Sequence, residues 1–142
     1  MNYSFIPFIP LALPHFLWKA SCGQSRFPSA AQDYEQAELD LNQRFITNPP
    51  ATFFVTAIGE SMIGAGIHPG STLIVNRALK PKSSSIVVAL VDGELIVKRL
   101  YKRAGVVKLL SEPEAAYPPI VMQEGQELII WGVVTHAITP TI

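Results

Sequence analysis

The sequence predicts a mainly β domain preceded by an extended arm and a short helix, and three observations carry that reading. After Pro50 short apolar runs alternate with turn residues, at a spacing suited to strands. Asp92-Gly93 stands between two such runs, a strong signal for a two-residue hairpin. Asn48-Pro49-Pro50 closes what precedes it, because the residue before a proline is pushed out of the helical region.

The elements follow in order. Residues 1–22 read as a leader, 23–48 as a flexible arm ending in a short helix, and 49–142 as the β domain. Leu39, Leu41, Phe45 and Ile46 give Glu38 to Thr47 helical spacing. Strands are predicted at Thr52–Ile58, Thr72–Asn76, Ile86–Val91, Glu94–Tyr101, Val106–Leu110 and Leu128–Ala137. No repeat or low-complexity tract interrupts them.

The leader is strongly apolar from Phe5 to Trp18. No Lys or Arg precedes that run, Pro7, Pro10 and Pro14 interrupt it, and His15 lies within it, all of which oppose an export signal. Lys19 stands where a lipoprotein cleavage site would want an apolar residue. The run also falls short of the ~20 apolar residues of a membrane helix. A partly extended segment docked on the domain is therefore expected, with no membrane partner.

The 142 residues are enough for one ordinary domain with its own core. Eleven basic and eleven acidic residues give a formal net charge of zero, so no global field draws the chain to nucleic acid, and no direct sequence-specific DNA binding is expected. Lys98, Arg99, Lys102, Arg103 and Lys108 form a local basic cluster that reads as a solvated hairpin end. The single cysteine excludes an internal disulfide and agrees with a reducing cytoplasm. His15, His68 and His136 lack metal-ligand spacing, and glycines 59, 64, 66 and 70 do not match a phosphate loop, so no metal or cofactor is expected. His68, before Pro69-Gly70, reads as a turn residue, and Met62 as packing beside its neighbour.

That neighbour is Ser61, in Gly59-Glu60-Ser61-Met62 just after an apolar strand. Such a turn can present a hydroxyl. Lys98 lies in Glu94–Tyr101, where period-two alternation puts it on the face of Ile96 and Leu100. For a lysine to take a serine proton near neutral pH, its pKa must fall from about 10.4 towards ~7, which burial can supply. Arg99 cannot serve, because guanidinium stays protonated. A Ser-Lys pair is one form of nucleophile and base, with backbone N–H groups of the serine turn available to an oxyanion. On their own the two residues carry little weight, since most serines after glycine are turn residues and most strand lysines face solvent.

The surrounding sequence changes this. Ala51–Val55 with Gly59–Met62, Gly66–Val75 and Val91–Leu100 resemble the self-cleaving peptidase domain of the LexA/UmuD family. Phe27–Ala31, Asp40–Gln43, Ala116–Ile120 and Trp131–His136 extend the likeness to most of the chain, closer to the UmuD-type branch and its plasmid-borne members than to LexA. The resemblance implies the partly coiled β-sheets shared with signal peptidases, Ser61 as nucleophile and Lys98 as base. It implies cleavage between Cys22 and Gly23, a Cys-Gly pair shortly before Phe27-Pro28. Without it, Cys22 would read as a buried small hydrophobe or a free thiol. The chain from Gly23 to Ser61 can span more than about 100 Å, so reach excludes neither self-cleavage nor cleavage of a partner chain.

The resemblance further implies a homodimer, cleavage stimulated by a RecA–single-stranded-DNA filament, and a shortened product that joins a UmuC-type Y-family DNA polymerase in translesion synthesis. A non-catalytic or LexA-like regulatory binding module of the same fold is the competing class. About 50 residues broken by six prolines leave no room for a repressor's helix-turn-helix domain. Two turns depart from the family pattern: Ser84-Ser85 replaces Gly-Asp, and Glu114 replaces Asn before the Tyr-x-Pro-Ile motif.

Overall fold

The computed structural model describes residues 10–17, 19–23 and 36–142, arranged as two compact units, Met1–Thr47 and Asn48–Ile142. Parts of the predicted apolar leader and residues 24–35 of the arm, with the Phe27-Pro28 motif, lie outside the described residues.

In the first unit, β1 (Leu13–Phe16) pairs antiparallel with β2 (Gln36–Leu39), with Leu13 opposite Leu39 and Pro14 opposite Glu38. A proline fits here because, among the described residues, neither strand has a second neighbour to which the missing N–H would have to donate. The helix predicted over Glu38–Thr47 is shorter: α1 is Leu41–Phe45. Asp40 sets its start, since Oδ1 accepts the N–H groups of Asn42 and Gln43 at 2.9 and 3.2 Å while Oδ2 accepts that of Leu11 at 3.0 Å. An aspartate that caps cannot also sit inside the helix, so Glu38 and Leu39 go to the strand.

In the second unit an all-antiparallel sheet is built from β3 (Thr52–Thr56), β4 (Thr72–Asn76), β5 (Ile86–Val91), β6 (Glu94–Arg103), β7 (Val106–Leu110), β8 (Ile120–Val121) and β9 (Ile129–Ile138). Their order across the sheet is β3-β4-β9-β5-β6-β7-β8. The chain is thus mainly β, as its sequence predicts. β3 stops two residues short of the prediction, because Ala57 leaves the ladder to exchange backbone bonds with Ser71 and Gly70, each at 2.8 Å. Register shifts at Ile74/Val75 and Val88/Ala89 bend β9 where it passes β4 and β5.

Buried residues form two clusters. Ala57, Met62, Ile67, Leu73, Val75 and Val88 make one; Val87, Ala89, Val91, Leu100, Leu109 and Val133 make the other. β5 serves both, its residues alternating between them, which is why its sequence is continuously apolar. Gly132 lets β9 approach β4, for a Cβ there would meet Val75 Cγ1 at 2.6 Å.

The β5–β6 turn at Asp92-Gly93 takes φ of 48° and 80°, the type I′ geometry expected of it. A second turn of this kind, Ala104-Gly105 with φ of 49° and 78°, joins β6 to β7. The predicted basic cluster is only partly solvated. Lys102 and Arg103 are exposed, but Lys108 stacks on its cross-strand neighbour Tyr101, 5.4 Å from the ring centre.

Candidate active site

Ser61 is held by the residues around it. Gly59, with φ of 78°, turns the chain out of β3, and Met62 is buried in the first cluster, where its carbonyl accepts the N–H groups of Ala65 and Ile67. The Ser61 carbonyl accepts the Glu112 N–H at 2.8 Å, and the Glu112 carbonyl accepts the Gly64 N–H at 2.9 Å. These two bonds strap the serine loop to the segment after β7. Gly64 permits the close approach, since a Cβ would lie 3.1 Å from the Glu112 backbone.

Lys98 projects from the middle of β6, opposite the fully buried Val87. It shares that face with Leu100, a member of the second cluster, and Ile96, which packs against it, as strand alternation predicts. Its Nζ donates to Ser61 Oγ at 2.8 Å and to Ser111 Oγ at 2.7 Å, and lies 5.7 Å from the centre of the Tyr117 ring. Burial lowers the Lys98 pKa below the ordinary lysine value. A half-buried amine of depressed pKa, hydrogen-bonded to a serine hydroxyl, can receive its proton.

Arg99, next along the strand, faces the other way. Its guanidinium pairs with Glu112 through Nε and donates to the Ser84 carbonyl at 2.7 Å. Ser84 has φ of 80°, so the serine keeps the left-handed backbone that glycine would supply. Its N–H donates to the Leu100 carbonyl at 2.7 Å, and Leu100 N–H donates to that of Ser85 at 2.8 Å.

A cleft of about 390 Å³ opens beside the pair, between Val55–Gly59 and Glu94–Lys98, with Met62 and Ile67 at its floor. Cys22 and Gly23 are exposed in the first unit, in a bend where Gly23 N–H donates to Ser21 Oγ at 3.1 Å. His68 is an exposed turn residue whose N–H donates to Ser71 Oγ. Among the described residues no group of three or more His, Cys, Asp or Glu side chains could hold a metal ion. Nor is any helix among them long and apolar enough to cross a membrane.

Sequence reasoning missed Ser111 and the Arg99–Glu112 pair. Arg99 is opposite Leu110, so one further step of that register sets Ser111 opposite Lys98. Recognising the Ala104-Gly105 turn would have revealed it.

Residues 15–135 match the model of the family described as peptidase S24-like. The chain belongs to that family. Protein ImpA of Salmonella typhimurium is 46% identical over 83% of this chain and 79% of its own length. Protein MucA of Escherichia coli is 38% identical over 89% of this chain and 84% of its own length. The LexA repressor of Thiobacillus denitrificans is more distant, 32% identical over 78% of this chain and 55% of its own. This S24-like chain is accordingly a UmuD-like member of the serine peptidase class.

Proposed function

We propose that the protein is a self-cleaving serine endopeptidase in which Ser61 is the nucleophile and Lys98 the general base. The 2.8 Å hydrogen bond between Lys98 Nζ and Ser61 Oγ, at the edge of a cleft, carries this reading. Neutral Lys98 takes the hydroxyl proton as Ser61 Oγ bonds to the scissile carbonyl carbon. Backbone N–H groups of the serine turn receive the oxyanion. The ammonium then returns the proton to the leaving amine, and water, activated by the same lysine, hydrolyses the acyl ester.

The bond cut is Cys22–Gly23, leaving residues 23–142 and releasing a leader of residues 1–22. As in the UmuD-type pattern, a RecA–single-stranded-DNA filament favours the cleavable arrangement, and the shortened homodimer serves a UmuC-type Y-family polymerase in the cytoplasm. Incubation with RecA, single-stranded DNA and a nucleotide, followed by intact mass measurement, tests this. The expected fragment begins at Gly23, and Ser61→Ala should yield none. A new N-terminus elsewhere rejects the site. A Cβ on Gly23 would meet nothing closer than Ser21 Oγ at 4.0 Å, so Gly23→Leu should fold normally and cut more slowly.

A further inference from the structure

Ser111 is 2% exposed and sits one residue beyond β7, where its Oγ accepts a hydrogen bond from Lys98 Nζ at 2.7 Å. We propose that Ser111 is a positioning residue: its oxygen takes one N–H of the neutral Lys98 amine, so that the lone pair faces Ser61. The proposal rests on the Ser61–Lys98 reading above.

The chemistry follows from what a neutral amine carries, two N–H groups and one lone pair on a flexible four-carbon stem. Left free, the amine turns and the lone pair meets the serine only part of the time. One fixed acceptor removes that freedom. Ser111 is fixed because its neighbour Glu112 bonds through its backbone to both Ser61 and Gly64, so the acceptor and the nucleophile move together. A hydroxyl also suits the task better than a carboxylate, which would hold the lysine charged. The carboxylate of Glu112, the residue next to Ser111, is engaged by Arg99, whose guanidinium also binds the Ser84 carbonyl. The Tyr117 ring lies on Nζ, and Glu94 lines the same cleft. As the Ser61 proton passes to Nζ and Oγ bonds to carbon, the N–H on Ser111 stays in place, and the new proton is the one handed to the leaving amine.

The test is the pH profile of unstimulated self-cleavage in the full chain with Ser111→Ala and Ser111→Thr. An acceptor binds the ammonium more strongly than the amine, so losing it lowers the Lys98 pKa. Ser111→Ala should therefore lower the high-pH plateau about ten- to a hundredfold while moving the acid limb to lower pH. Ser111→Thr, which keeps the hydroxyl, should restore most of the plateau. In a Ser61→Ala background, where nothing is cut, the NMR titration of Lys98 Cε should show the same downward shift on Ser111→Ala. A parental plateau in Ser111→Ala overturns the proposal, as does a lost plateau with an unmoved limb and no recovery in Ser111→Thr. Cutting by Ser61→Ala would overturn the dyad reading itself. An inert Ser61→Ala beside a parental Ser111→Ala sinks only the role of Ser111.

Discussion

Burial of Lys98 has consequences for both rate and stability. Because its pKa in the fold lies below the ordinary lysine value, the competent neutral form grows as pH rises, and unstimulated cleavage should accelerate from neutral pH and level off above that pKa. The sign for stability is the same: between the lowered pKa and about 10.4 the unfolded chain holds more protons, so stability rises with pH across that window. Lys98→Arg keeps the charge and cannot release it, so cutting should be lost at every pH between 7 and 10, as measured by product mass. Parental cleavage by Lys98→Ala would return Lys98 to an ordinary strand lysine. At Ser84, an exposed residue at φ of 80°, Ser84→Gly should raise stability by about 0.5–1 kcal/mol in urea unfolding. The pairing of Ser61 with Lys98 was legible through the resemblance of the segments around them, since the two residues alone carried little weight. Ser111 was not, since a buried serine after a strand looks like any other turn residue.

Among the elements, strands that bury both faces were the easiest to read. β4 and β5 match their predicted limits, because continuous apolar runs bounded by turn residues admit few other assignments. β8, two residues long, carries no periodicity that a sequence could display. The helix was overestimated because apolar spacing in Leu39 to Ile46 hid the capping tendency of Asp40. Asp92-Gly93 announced its hairpin, whereas Ala104 disguised the next, for alanine rarely adopts positive φ. Ala104→Asn should relieve that strain and stabilise the β6–β7 hairpin by about 0.5–1 kcal/mol, read as a higher unfolding midpoint with unchanged cleavage. A Gly132→Ala change should do the reverse, costing about 1–3 kcal/mol, since its methyl meets the buried Val75.

For the whole molecule, both buried clusters come from residues 57–133, and every strand of the larger sheet lies within the second unit. Loss of residues 1–22 should therefore leave its stability nearly unchanged. Thermal unfolding of the cleaved product and of intact Ser61→Ala should give main transitions at the same midpoint; a markedly lower one for the product would tie the leader to the core.

The position of β9 adds a constraint in time. Within the sheet β9 lies between β4 and β5, so β3 and β4 are paired to β5 and β6 by way of residues 129–138, while the backbone bonds of Glu112 to Ser61 and Gly64 join the serine loop to the segment after β7. On the proposed reading, a chain made only as far as β8 lacks the strand that pairs the two halves of the sheet, and self-cleavage should await residues 129–138.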